Sequence, residues 1–346
     1  RDFCLSRGLG DVYKRQPYSN ELREKIFHWL EANSDVAANL DIPPKTKYRN
    51  KFAECADISY DNFAYFEKHQ SGKTKYLNML QGSNTDEYTW WYHKFKHFDF
   101  QGWAIGGPQK LVDFMFAVAL MLKERTFENP RLEFLHLLGI SKISDFFILA
   151  TLQKLMNKNY GNRIYVTTDS SSPGQYPVFG TYLHSANYKT QTFSELYFPK
   201  NAEYRRQAHI RQGKIGEVSI DLSQHVPCAL HCPACTDFTY DLLGGKTDAG
   251  LDRYSQEAMP RMVVHNVHLY VQCAEEINQL VDSHVELLET VVPRDLYDVI
   301  LSLHEMFADP DAALQTYEKY IKTYKKFGGS SISTTDAENF NKYFTF

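Results

Sequence analysis

The chain has 346 residues, of which 43% are hydrophobic and 23% charged, an ordinary balance for a globular protein. Its formal charge is −4, which excludes a globally basic chain, so a nucleic-acid partner would have to be met by a local basic patch. The apolar run Leu111 to Leu122 is too short for a bilayer and ends in Lys-Glu-Arg, so it is not expected to span a membrane.

Ser6 to Gln16 reads SRGLGDVYKRQ, which looks like the translation of a transposon-type sequencing adaptor. Residues 1–16 are therefore set aside as scar sequence. On that reading the natural protein begins further upstream. Without four basic and two acidic adaptor residues the balance is 34 basic against 40 acidic. No secretory leader is visible, and a cytoplasmic location is expected, that of the host if the gene is a phage's.

From Pro17 onward, short β-like runs alternate with helical ones. Val36–Asp41 reads as a strand that Pro43-Pro44 stops, and a helix is expected around Asp61 to Gln70. Tyr76–Gln81 is the second strand, ending at Gly82, with Thr85 to Lys96 helical after it. Gly102–Ile105 is the third, ending at Gly106-Gly107, and Pro108 opens a helix over Gln109 to Lys123. Leu132–Leu138 is the fourth, ending at Gly139 and followed by a helix over Ile143 to Asn157. Ile164–Thr168 is the fifth, ending at Asp169. Strand, polar or Gly-rich tip, helix, strand implies a parallel sheet, either a (β/α)₈ barrel or a doubly wound sheet. In a barrel the tips Asp41, Gln81, Gly106, Gly107, Gly139 and Asp169 converge on the face where active sites lie. Beyond Gly174 short antiparallel strands are expected, then a local basic run, Tyr204 to Lys214. Leu269 to Leu288 and Arg294 to Phe327 read as helical.

Six cysteines occur. Cys4 belongs to the scar, and Cys55 and Cys273 are isolated and expected to be buried thiols. Cys228, Cys232 and Cys235 lie within eight residues, a spacing that reads as metal and not disulfide in a chain without secretory features. With His265 they supply three thiolates and an imidazole, a closed tetrahedral shell for structural Zn2+. His268 and His231 compete with His265 for the fourth position. Zinc deaminases carry H-x-E ahead of P-C-x-x-C; here three residues separate Cys228 from Cys232 and His284-Val-Glu286 follows the cysteines, so that class is excluded. Ser71-Gly72-Lys73-Thr74 is no phosphate loop, because Glu67 stands where the first glycine is required.

Taken in order, these elements resemble the queuine and archaeosine tRNA-guanine transglycosylase family, and more closely its phage and bacterial DNA-modifying branch. Leu40-Asp41-Ile42-Pro43 resembles the strand whose aspartate holds the base, and Leu80-Gln81-Gly82 the Q-G strand. Trp103-Ala104-Ile105-Gly106-Gly107 is similar to Y-A-V-G-G, and His136-Leu137-Leu138-Gly139 to the L-M-G pocket strand. Thr168-Asp169-Ser170 resembles the F-D-S strand of the nucleophile, and the cysteines with His265-Asn266 resemble the zinc elements. The first cysteine spacing departs from the family's C-x-C. The family's D-S-G-G strand, bearing a general-base aspartate, is expected upstream of Pro17.

The resemblance implies a TIM barrel, incomplete at its N-terminus, over residues 17–200. A zinc-binding subdomain with a returning helix would follow over 201–290, and a helical tail over 291–346. It implies Asp169 as nucleophile, with Thr167, Thr168, Ser170 and Ser171 leaving room for a sugar. Asp41 and Gln81 would read the purine edge, Gly106 and Gly107 would let the backbone approach, and Leu138 and Gly139 would wall the pocket. The implied partners are a nucleic acid, DNA ahead of tRNA, and a free 7-deazaguanine base, with a homodimer or accessory subunit admissible and no redox or nucleotide cofactor. A non-catalytic, zinc-stapled nucleic-acid-binding subunit is the competing class.

Overall fold

A computed structural model describes residues 19–44, 51–106, 111–179, 181–197, 207–210, 218–219, 223–226, 228, 232–239, 242, 244–246, 252–254, 257–283 and 285–327. The adaptor-like segment, Gly107 and His231 lie outside the described residues.

Helix α1 (Asn20–Asn33) starts at Ser19, whose Oγ accepts from the Leu22 amide at 3.2 Å. Then come β1 (Val36–Ala38), α2 (Phe52–His69), β2 (Lys75–Leu80), α3 (Thr85–Phe95) and β3 (Gly102–Ile105). They are followed by α4 (Leu111–Lys123), β4 (Phe134–Leu137), α5 (Ile143–Tyr160) and β5 (Tyr165–Thr168). The α3 start is set by Asn84, whose Oδ1 accepts from the Glu87 amide at 2.9 Å while Glu87 reaches back to the Ser83 amide at 2.7 Å.

The five strands pair in parallel, in sequence order β1-β2-β3-β4-β5. Right-handed crossovers repeated in one direction put every connecting helix on the same face and curl the sheet into a half barrel. A doubly wound sheet needs a strand order that reverses, which this order is not.

Strand register sorts the side chains. Asn78, Trp103, Leu135 and Val166 lie in one cross-strand row, and Met79, Ala104, His136 and Thr167 in the next. Trp103 stacks on Tyr92 of α3, with ring centroids 5.3 Å apart, so the first row faces the helices. The second row therefore faces the concave side. Gln81, Gly106, Leu138 and Asp169 each follow that row by two positions, in phase with the concave face.

Several boundaries differ from the sequence expectation. Strand β1 ends at Ala38, not Asp41: Asn39 N–H still reaches Leu77 O at 3.1 Å, but Leu40 N–H donates to Asn39 Oδ1 at 2.9 Å and Ile42 N–H to Ser59 Oγ at 2.8 Å. Helix α2 starts at Phe52, ahead of Asp61.

After β5 the chain forms an antiparallel sheet, β6 (Thr181–Asn187), β7 (Thr192–Tyr197), β8 (Gln207–Ile210) and β9 (Val218–Ser219), then a hairpin, β10 (Gly244–Lys246) and β11 (Asp252–Tyr254). Apart from β8, the basic run over 204–214 lies outside the described residues. Helix α6 (Ala258–Asp282) begins well before Leu269, since Pro260 sits in its first turn, where no amide donor is needed.

Helices α7 (Val285–Val291), α8 (Arg294–Ala308) and α9 (Ala313–Phe327) complete the described chain. The α8–α9 pair packs across α4 and α5, so the expected tail is a further layer over the helices of the half barrel. That second cover explains the apolar run in α4, where every residue from Phe114 to Leu122 is buried. Among the described residues, no helix is long and apolar enough to cross a membrane.

Candidate active-site mouth and metal centre

The strand tips carry two contact clusters. The first begins with the turn after β1, which α2 holds through Ser59 and through Asn62, whose Nδ2 donates to Leu40 O at 3.1 Å. This presents Asp41 to Gln81, whose Nε2 donates to Asp41 Oδ2 at 2.7 Å. Gln81 is buried, and its Oε1 has no hydrogen-bond partner among the described residues. Gly106 is the floor of this pair. A Cβ there would stand 2.5 Å from Gln81 Nε2, so a side chain at this position would push the amide from its place. The residue is fixed by its own N–H to Leu80 O, 2.9 Å, and by Tyr88, whose hydroxyl donates to Gly106 O at 3.1 Å. The expected close approach at Gly106 is thus made by a side chain of the protein itself.

The second cluster spans β4 and β5. Gly139 has φ +72°, a left-handed conformation that glycine adopts without penalty, and its N–H donates to Asp169 Oδ1 at 2.5 Å. Beneath the carboxylate lies His136, 1% exposed, with Nδ1 2.9 Å from Thr167 Oγ1 and Nε2 3.9 Å from Asp169 Oδ1. Burial holds the imidazole below its ordinary 6.5, against the opposing pull of the Asp169 charge. Leu138 lines a cleft at the starts of α4 and α5 with Ile105, Gly106, Leu137, Lys142 and Asp145. Burial in that cleft raises the Asp145 carboxyl to about 6. Asp169 belongs to a different cluster from the Asp41–Gln81 pair. Three strand steps separate β5 from β2, an arc of roughly 14 Å that the curl of the sheet shortens to a chord. Gly107 lies outside the described residues.

The metal centre is built from the far end of the chain. The donor atoms of Cys228, Cys232, Cys235 and His265 all lie within 4.8 Å of one another. His265 Nδ1 stands 3.5, 3.3 and 3.4 Å from the three sulfurs in that order, and Cys232 and Cys235 Sγ are 3.3 Å apart. Zinc bonds of roughly 2.0–2.3 Å give tetrahedral edges of about 3.5–3.8 Å, so the donors are nearly in place for the ion. On the far side of the ring, His265 Nε2 lies 2.6 Å from Leu183 O, which accepts a hydrogen bond from Nε2–H and leaves Nδ1 as the ligand. Burial lowers this imidazole to about 4 and raises the Cys235 thiol. The neutral imidazole has its Nδ1 lone pair ready for a metal, and the buried thiol holds a proton that binding of the metal must displace. His268, the expected competitor, is exposed on α6 and outside the cluster.

Two contributors, Tyr182 and His136, carry no signal of their roles in the sequence, and a third, Asn266, stands there only beside His265 in the zinc elements. Tyr182 of β6 stacks on His265, centroids 3.9 Å apart, with its hydroxyl 3.1 Å from Cys235 Sγ and 3.0 Å from His265 Nδ1. Asn266 fastens α6 to the start of β6, accepting from Leu183 N–H at 3.0 Å. His136 stands in the sequence only as a letter of the pocket strand. Each partnership joins residues far apart in the chain, and no local spacing announces it.

The fold and these sites define an α/β protein with a curled, five-stranded parallel sheet and a centre of three cysteines and one histidine able to hold a metal. No protein-family model matches the chain, and no curated protein matches it.

Proposed function

We propose that the protein is a guanine transglycosylase that exchanges guanine in DNA for a 7-deazaguanine, preQ0-like base, and that its half barrel is part of a (β/α)₈ barrel. The observation that carries this reading is the Asp41–Gln81 pair, a carboxylate and a buried carboxamide whose oxygen lacks a partner among the described residues. It presents several acceptors side by side at the strand tips. Guanine offers the matching edge, with donors on N1 and on the exocyclic amine. A buried acceptor left unpaired costs about 1–3 kcal/mol, which a ligand bearing those donors would recover.

Asp169, at the tip of β5, is the nucleophile in this proposal. Its carboxylate attacks C1′ as the C1′–N9 pair departs with guanine, giving a glycosyl ester. The incoming base then takes C1′ and the carboxylate is restored. Guanine leaves carrying a proton on N9 and the incoming base yields its own, so the exchange is proton-neutral. The metal centre has all its positions filled by protein donors and would supply structure, not chemistry.

The test is exchange of labelled guanine by the intact gene product, with DNA and tRNA as parallel substrates. Asp169→Asn is expected to bind nucleic acid and lose exchange by roughly 10³-fold or more, with no covalent adduct on a denaturing gel. Exchange at near wild-type rate would overturn Asp169 as the nucleophile, and absence of exchange in the wild-type gene product would favour a non-catalytic nucleic-acid-binding subunit. Activity on tRNA alone would keep the chemistry and change the substrate.

A further inference from the structure

The imidazole beneath Asp169 has a defined orientation. His136 and Thr167 are register partners on adjacent strands and face the same side. Thr167 Oγ1 lies 2.9 Å from Nδ1, while Nε2 points at Asp169 Oδ1 from 3.9 Å. Burial keeps the ring neutral at pH 7, so it carries one N–H. A carboxylate facing a nitrogen lone pair is repelled and one facing N–H is attracted, which puts the proton on Nε2 and makes Thr167 the donor to Nδ1. The same Oδ1 already accepts from Gly139 N–H at 2.5 Å.

We infer that His136 is a positioning residue for Asp169: its Nε2–H and the Gly139 amide together hold Oδ1, leaving Oδ2 as the oxygen that attacks and later leaves C1′. This rests on the base-exchange reading above. In the first half of the exchange Oδ2 bonds to C1′ while the C1′–N9 pair goes to guanine, and Oδ1 becomes the ester carbonyl oxygen. In the second half N9 of the incoming 7-deazaguanine, its proton given up, takes C1′, and the C–O pair returns to the carboxylate. Donors on Oδ1 make that carboxylate less basic, hence a better leaving group. Their loss therefore weighs on the second half, and ester should build up. Apo hydrogen bonds at reacting groups are commonly long and tighten in the complex, which the 3.9 Å approach permits.

The experiment compares His136→Leu, His136→Gln and Thr167→Val with Asp169→Asn in the intact gene product. Thermal melting first identifies which variants are folded. His136→Leu is expected to lower kcat about tenfold, the effect of losing one hydrogen bond to a charged group, with KM for nucleic acid unchanged and more trapped adduct at steady state. His136→Gln, which returns an N–H near Nε2, should recover most of the rate. Thr167→Val, which loosens the ring, should fall between them and carries the test if the leucine variant does not fold. Wild-type kcat and adduct level in folded His136→Leu or Thr167→Val would overturn the inference. So would equal loss in the leucine and glutamine variants without added adduct. Absence of exchange and of trapped adduct in the wild-type gene product would instead sink the base-exchange reading itself, and an active Asp169→Asn the nucleophile assignment, so these failures are told apart.

Discussion

Between the parallel sheet and its helices, Phe63, Phe66, Tyr76, Trp91, Phe95 and Phe147 are buried to 0–1% exposure within one continuous apolar core. Around the cysteines the buried set, among the described residues, is Tyr182, Val226, Phe238, Ala258 and Met262 with two of the thiols. The first region can be held by burial alone, at about 25 cal/mol per Å² of apolar surface. The second adds to its apolar side chains a set of donors that gain energy only when an ion joins them. The contrast teaches where each region is vulnerable, one to cavities and the other to loss of a ligand.

The largest expected effect is on the metal side. Cys232→Ser or His265→Ala should abolish binding of one zinc per chain, removing a contribution on the order of 10 kcal/mol from the ordering of residues 232–239. Protease sensitivity there should rise while the aromatic signal of the half barrel persists. Full zinc content in both variants, by elemental analysis, would refute the centre; loss of the whole fold would show that the two regions are not separable.

Next is a cavity in the half barrel. Trp91 is fully buried, stacks on Phe95 at 4.8 Å, and its Nε1–H donates to Met79 O at 2.7 Å. Trp91→Ala is expected to cost about 3–5 kcal/mol in denaturant unfolding. Zinc content should be unchanged at native conditions, and a fall in it would join what the comparison separates.

The smallest effect is electrostatic. Burial raises Asp145 from its ordinary 3.8 to about 6, with Lys142 opposing. Below pH ~3.8 the carboxyl is neutral in both folded and unfolded chains, and no stability is lost. As pH climbs to about 6 the unfolded form ionises more readily, so stability falls by roughly 1–3 kcal/mol. Asp145→Asn should therefore be more stable than the parent above pH ~6, with the gap closing toward pH 4. A constant difference across that range, in melts at several pH values, would show that burial of the charge is not the cause.

Much of the half barrel is legible because the alternation of apolar runs with polar tips is local: β3 occupies Gly102–Ile105 as expected, and β2, β4 and β5 differ at their ends by a residue or two. The metal centre is legible too, since the cysteines are the rarest kind of signal, three thiols at short spacing in one stretch. The β1 tip is not, because its amides bond to Ser59 and Asn39 side chains, a choice that depends on where α2 packs. The start of α6 is hidden by Pro260, a breaker in most contexts, whose first-turn position removes that meaning.

By itself, then, the sequence determined the order of strands and helices, the parity that turns Gln81, Gly106 and Asp169 to one face, and the donor set for a metal. Those follow from periods of two and 3.6 residues and from the chemistry of thiols, all of which act within a few positions of the chain. Tertiary structure alone decided that Gln81 grips Asp41 over a glycine on a third strand and that His136 lies under Asp169. It alone placed Tyr182 over His265 and folded α8 and α9 back over α4 and α5. These contacts join residues dozens of positions apart, and their geometry exists only after the sheet has curled and the helices have packed on it, because hydrogen bonds and ring stacking act over a few ångströms of space and are blind to distance along the chain.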